Sequence, residues 1–490
     1  MSVMSDSLDN LAAVISKGLA EKSPDLLASV KALFGTRYYQ NDWKSDDGVR
    51  NRYAMGEDGV PFGALLHPDN PSSGAYGGFS LAWFPTPAGS LMTLVVGTRG
   101  LQPDEGILTR PGHRRRVAAL RRYLTRSGVD AWAKADPASI GVKMPTQTRQ
   151  LLGESFEGAY NRYGDVIYAA APVPTDDPAR ARLVVQAFLD LYAFERGWRP
   201  LKASQREHDD FHGELRADLF PIVTPAGVHD LLKRRRFVIL QGPPGTGKTR
   251  MAEIVKRDFF GSRGQTVQFH PAVTYEDFVV GLAPHVDAKE LSFRVKKGWL
   301  LEAATEAASG PYILVVDEVN RADLGKVLGE AVYLFESGEV GGPNARRVEL
   351  THEVNGQRTF SFPENLYVLA TMNTADRSIA GMDLAVRRRF AFMTLMPSRH
   401  VLVDQNCPER ALAAFDWLTD MFVEFAPDDA LTLMPGHSYF IAKSDEELRT
   451  RFRFELLPLI DEYLRQGFLA QAASELISVR DRIDDMSRES

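Results

Sequence analysis

Apolar residues recur at helical spacing from Met1 to about Phe34, with Leu11, Val14, Leu19, Leu26, Leu27 and Val30 forming the stripe. The pattern then changes. Gly78 to Phe84 and Leu91 to Thr98 are rich in β-forming residues and flank the turn-forming run 85–90, which predicts a hairpin. Pro111 to Arg126 predicts a helix that keeps Val117, Leu120 and Leu124 on one face and arginines on the other. Helices are also expected from Ala179 to Phe194 and from Ala226 to Lys233. Between Lys202 and Phe220 the chain is polar, charged and without pattern, which marks a linker or domain boundary. There is no internal repeat.

From Phe237 onward apolar strands alternate with helical stretches. Strands are expected at Phe237–Leu240, Thr266–His270, Tyr312–Val316, Leu366–Thr371 and Phe390–Leu395. Such alternation predicts a parallel α/β sheet covered by helices. Beyond about Pro397 the β signal fades, and Ala411 to Ile483 reads as helical, a smaller α-rich region.

Composition narrows the class. At 490 residues the chain is too long for one small domain, and 44% hydrophobic with 25% charged residues excludes collagen-like and wholly disordered readings. The single cysteine, Cys407, excludes an intramolecular disulfide and any zinc site built on paired thiolates. The N-terminal run Met-Ser-Val-Met-Ser-Asp lacks a basic region followed by an apolar one, and no stretch of about twenty apolar residues occurs, so a cytoplasmic protein without membrane contact is expected. With a net charge of -6, any nucleic-acid contact has to come from a local basic patch.

The strand at Phe237 runs into Gly242, Pro243, Pro244, Gly245, Thr246, Gly247, Lys248 and Thr249, and then into a helix. This is the P-loop pattern in the strand–loop–helix context it requires. Its glycines let backbone N–H groups curl around phosphate oxygens, Lys248 adds a point charge, and the Thr249 hydroxyl is a Mg²⁺ ligand. Some 70 residues on, Ile313-Leu-Val-Val-Asp-Glu318 delivers two carboxylates at the C-terminal end of a buried strand, where ligands of such sheets sit. Asp317 is placed to hold Mg²⁺ and Glu318 to polarise an attacking water. The strand from Leu366 ends in Met372-Asn-Thr-Ala-Asp-Arg-Ser378, where the Asn373 amide can bond both a γ-phosphate and the lytic water; an Asx turn is the alternative. Arg387, Arg388 and Arg389 precede the last strand. They are either solvated or reach a neighbouring subunit's γ-phosphate.

These residues resemble AAA+ NTPases of the McrB-like branch, motor subunits of modification-dependent restriction systems. The resemblance rests on the P-loop together with Gln268-Phe-His-Pro-Ala-Val-Thr-Tyr-Glu-Asp-Phe278, the run Asp317 to Glu330, Met372 to Ser378, and Gly436-His-Ser-Tyr-Phe440, and covers roughly 225–469. It implies an AAA+ core with a small helical lid; with the helices and β-hairpin read above as an α+β N-terminal domain and the polar stretch as a linker, the chain divides as 1–205, a linker 206–224, a core 225–397 and a lid 398–490. It further implies a hexameric ring, an insertion near 281–300, a hairpin around 346–362 and an McrC-like nuclease partner. Residue by residue, it makes Lys248 and Thr249 the phosphate and Mg²⁺ contacts and Asp317 and Glu318 the Walker B pair. Asn373 and Asp376 become the water-positioning pair, and Arg388 and Arg389 the fingers. His437 reads as a packing or capping residue of the lid. The nucleotide is ATP or GTP, since no guanine-reading Asn-Lys-x-Asp string is present.

Residues 1–205 do not match the methylcytosine-binding domain of the best-known relatives. The helix 111–126 and its flank carry Arg110, Arg114, Arg115, Arg116, Arg121, Arg122 and Arg126 with no acid among them. That stripe reads either as a phosphate-neutralising surface for DNA or as a solvated or protein-docking helix face. Tyr38, Tyr39, Trp43 and Tyr53 among Arg37, Lys44, Arg50 and Arg52 are core aromatics or stacking surfaces for bases. Two functions follow: a DNA-translocating subunit of an McrBC-like restriction system whose cutting belongs to a partner, since no Asp…Glu-x-Lys nuclease string stands out, or a protein-remodelling ATPase of MoxR or dynein-related type.

Overall fold

The computed structural model describes residues 3–17, 24–34, 39–40, 49–55, 59–71, 75–198, 219–287, 290–375 and 384–488, with scattered positions between 205 and 217. The chain forms two compact units, Met1–Leu219 with Val423–Phe425, and Phe220–Phe422 with Ala426–Ser490.

In the first unit, strands β1 (Tyr39–Gln40), β2 (Val49–Met55), β3 (Pro61–Leu66), β4 (Phe79–Thr86), β5 (Gly89–Val96), β6 (Trp132–Ala133) and β7 (Ile167–Pro174) form one sheet in the order β1-β2-β3-β4-β5-β7-β6. One face of β3, β4 and β5 presents Leu65, Leu81, Trp83, Met92 and Leu94 to the helices Val3–Ser16, Pro111–Arg126 and Pro178–Glu195. The hairpin β4–β5 is tighter than the sequence suggests. Pairing continues to Thr86 opposite Gly89, so only residues 87 and 88 turn. The aromatic and basic residues between 37 and 53 fall on positions, or on side chains, outside the described residues.

The helix Pro111–Arg126 has the expected bounds, and Val117, Leu120 and Leu124 are buried on it. The arginine stripe needs correction. Arg115 and Arg116 are each only 6% exposed. Arg116 donates through Nε to Glu195 Oε1 at 2.7 Å, and Arg110 reaches the other oxygen of that carboxylate at 2.5 Å. The His113 ring stands 3.0 Å from it. A buried carboxylate is tolerable only when paired and hydrogen-bonded in this way. Arg115 and Arg116 therefore belong to the interior, not to a phosphate-facing surface; Arg121 is exposed, and Arg114 and Arg122 are half-buried.

In the second unit, β8 (Phe237–Gly242), β9 (Gly264–Gln268), β12 (Tyr312–Asp317), β15 (Leu366–Asn373) and β16 (Ala391–Thr394) form an all-parallel sheet in the order β16-β8-β15-β12-β9. The three inner strands β8, β15 and β12 are buried on both faces, which is why they read as continuous apolar runs, whereas the edge strands β9 and β16 are partly exposed. Val238, Leu240, Ile313 and Val315 pack with Ala252 and Val255 of the helix Lys248–Phe260. Phe237, Ile239, Leu314 and Val316 pack on the opposite side with Leu300 and Ala303. Two antiparallel hairpins interrupt the alternation, β10–β11 (Val280–Asp287 and Glu290–Lys297) and β13–β14 (Val348–Val354 and Gln357–Phe360). The C-terminal part is helical, with helices at Arg399–Asp404, Glu409–Phe425, Asp445–Arg451, Leu457–Gln466 and Ala473–Arg488. Among the described residues no helix is long and apolar enough to cross a membrane.

Candidate active site

β15 lies between β8 and β12, so the carboxyl ends of three neighbouring strands open together. The register pairs Asn373 with Gly242 and Val316 with Ala370. In open α/β sheets this edge is where ligands bind.

The loop after β8 begins at Gly242 and ends where Lys248 starts its helix. Gly247 caps that helix with φ +77°, a left-handed conformation that a β-carbon penalises. Thr246 closes the loop on itself by donating to Pro243 O at 3.0 Å. The Lys248 ammonium is turned onto the loop, donating to Gly242 O at 3.0 Å and Pro243 O at 2.7 Å. Burial draws its pKa down to about 8, against the pull of Glu318 and Asp317. A buried ammonium whose hydrogen-bond partners are neutral carbonyls is suited to an anion.

At the end of β12, Asp317 Oδ1 accepts from the Thr249 hydroxyl at 2.8 Å and from the Thr371 hydroxyl at 2.5 Å. Glu318 follows in a left-handed backbone conformation, φ +56°. Non-glycine residues held there cost of order 1 kcal/mol and cluster at functional sites. Two contacts secure it. Its N–H donates to Thr371 Oγ1 at 3.1 Å, and its carboxylate accepts from Asn373 Nδ2 at 2.6 Å. Arg321 Nε stands 3.4 Å from the other oxygen. Asn320 adds a contact from its amide to Asn373 O at 3.4 Å.

Lys248, Thr249, Asp317, Glu318 and Asn373 thus share one strand edge. Thr371, Asn320 and Arg321 belong to the same network and carry no expected role in the sequence reading. Thr371 is legible in hindsight, because strand alternation puts residues 371 and 373 on one face. Asp376 lies outside the described residues. The paired finger arginines separate. Arg388 is exposed, whereas Arg389 is 5% exposed, donates to Ala385 O at 2.5 Å and lies 5.7 Å from the Tyr333 ring centroid. Arg389 is committed to its own fold, and its expected role as an outward-reaching finger is withdrawn.

The donors fit a magnesium-bound triphosphate: a hydroxyl and a carboxylate 2.8 Å apart at Thr249 and Asp317, a buried cation at Lys248, and a second carboxylate at Glu318. The family described as AAA domain (dynein-related subfamily) matches residues 237–390. The chain is 33% identical over 273 residues to the Type IV methyl-directed restriction enzyme EcoKMcrB subunit of Escherichia coli (strain K12), covering 50% of this chain and 58% of that one. It is 27% identical over 190 residues to the Type II restriction enzyme BsuMI component YdiS of Bacillus subtilis (strain 168), covering 31% and 55%. The chain spans about half the length of the curated relatives it matches.

Proposed function

We propose that this McrB-like AAA+ protein binds and hydrolyses Mg-ATP or Mg-GTP as an oligomeric ring, hexameric by resemblance, and serves as the DNA-translocating subunit of an McrBC-like restriction system. The observation that carries the reading is the network in which Thr249 and Thr371 hold Asp317 while Asn373 holds Glu318. Lys248 and the loop N–H groups bind the phosphates, and Thr249 and Asp317 hold the metal. Bound Mg²⁺ supplies charge neutralisation on the phosphate oxygens. Glu318 accepts a proton from the attacking water, which Asn373 orients, and Arg388 contributes its charge to the neighbouring subunit's site. Asp376 is kept as the second water-positioning residue.

The restriction role is supported by two relatives named as restriction enzyme components. An McrC-like nuclease is then a separate partner, DNA is contacted through the N-terminal domain, and the system works in the cytoplasm. With Arg115 and Arg116 buried, Arg114, Arg121 and Arg122 are the remaining candidates for phosphate contact on that helix. Hydrolysis of ATP and GTP should be measured beside duplex binding over a salt series. A motor on DNA gives a steep negative salt slope that Arg121→Ala reduces by about one charge. Hydrolysis with no salt-dependent duplex binding would favour the second reading, a protein-remodelling ATPase, to which the dynein-related family match also points. No hydrolysis of either nucleotide would overturn both.

A further inference from the structure

One short segment of the helical C-terminal part lies on the phosphate loop. The Gly436 N–H donates to Pro244 O at 2.9 Å and the Ser438 N–H to Gly245 O at 3.0 Å. A β-carbon on Gly436 would stand 2.0 Å from the Gly245 carbonyl carbon, so backbone rests directly on backbone. Between these two contacts sits His437, buried at 9% exposure.

The imidazole is oriented by a backbone group. Ser398 N–H lies 3.3 Å from its Nδ1. A backbone N–H only donates, so Nδ1 carries the lone pair and, in the neutral ring, Nε2 carries the proton. Burial, with the nearby Arg250 charge, pulls the ring's pKa down to about 4, so the neutral form prevails at physiological pH. Nε2 lies 3.7 Å from where a β-carbon on Gly247 would stand, at the cap of the helix Lys248–Phe260. Helix N-termini of this kind receive phosphate. Among the described residues no hydrogen-bond acceptor is seen for that Nε2–H.

We propose that His437 is a nucleotide-binding residue: a neutral donor carried by the lid, whose Nε2–H bonds a phosphate oxygen of the nucleotide seated in the loop. The assignment rests on the nucleotide reading above. It makes the lid sense the occupant through one directional bond made without added charge, so lid position follows nucleotide binding.

Two isosteres separate this role from a packing role. In His437→Gln the amide nitrogen takes the place of Nε2, keeping the donor toward the loop. In His437→Asn the amide oxygen takes the place of Nδ1, keeping the acceptor for Ser398. Affinity of the full chain for N-methylanthraniloyl-labelled ADP and GDP is measured by fluorescence, with thermal unfolding of each variant alongside. His437→Gln should bind within about threefold of wild type and His437→Asn about tenfold more weakly, the effect of one lost bond to a charged acceptor. The reverse ranking, equal losses in both, or wild-type affinity in both would each overturn the proposal. Failure of the wild-type chain to bind either probe would instead bring down the nucleotide reading, and this inference with it.

Discussion

Replacing Gly436 with alanine tests whether the lid lies on the phosphate loop. The glycine has φ -67° and ψ 164°, which alanine adopts without strain, so any effect comes from contact and not from backbone preference. The new methyl would stand 2.0 Å from the Gly245 carbonyl carbon and 2.1 Å from its oxygen. Ordinary carbon contacts begin near 3.5 Å, so the segment must retreat by roughly 1.5 Å. That retreat carries the 2.9 Å and 3.0 Å hydrogen bonds to Pro244 and Gly245 beyond bonding distance. Each is worth about 0.5–1.5 kcal/mol net, and the residual overpacking costs about 1 kcal/mol or more. A loss of about 2–4 kcal/mol lowers the melting temperature of a unit this size by roughly 5–10 °C. Scanning calorimetry of the full chain measures it, with labelled-nucleotide affinity expected to fall at least about tenfold because the loop must yield as well. Gly338→Ala is the control, since nothing lies within 4 Å of its added carbon. A Gly436→Ala protein that melts within 1 °C of wild type, about the size of a surface change, and binds nucleotide normally would refute the contact.

Glu318→Gln should retain nucleotide binding and lose about 10²- to 10⁴-fold in turnover, read as phosphate release beside a binding titration; equal rates would remove the base role. If Arg388 is the finger proposed above, acting across subunits, Arg388→Ala should lose hydrolysis that mixing with Glu318→Gln subunits partly restores, while Arg389→Ala should instead lower the melting temperature through its buried contacts. Thr371→Val should keep the fold and weaken Mg²⁺-dependent binding, since it removes the hydroxyl bridging Asp317 Oδ1 and the Glu318 N–H, and a metal titration reads the shift. In the N-terminal unit, burial pushes the Glu195 carboxyl up, but His113 and Arg116 outweigh it and hold it well below the usual range. Its folded pKa is therefore depressed, so its contribution to stability is present above about pH 4.5 and is lost as the pH falls below that. Glu195→Gln should cost about 3–5 kcal/mol at neutral pH, a difference still largely present at pH 4 because the folded carboxyl titrates well below that; urea unfolding at pH 7 that shows no difference between the two proteins would contradict this.

Much of the α/β core was legible because its signals are local. A strand buried on both faces reads as an unbroken apolar run, and the run 242–249 has to sit between a strand and a helix for its N–H groups to converge. The hairpin at 348–360 was visible only through resemblance, which also marked an insertion near 281–300 without showing that it is the hairpin 280–297; their largely exposed strands carry weak patterns of their own.

Sequence alone therefore determined the fold class, the phosphate loop and the acidic strand end, each encoded within a few consecutive residues. Tertiary structure decided which equivalent side chains face inward. Arg116 is interior because Glu195, 79 residues away, supplies a buried carboxylate, and Arg389 parts from Arg388 because Tyr333 lies beneath it. It also decided that Thr371 braces both carboxylates and that Gly436 lies on Gly245. Such choices depend on the partner brought up by the fold, and no periodicity of one segment can name a partner in another.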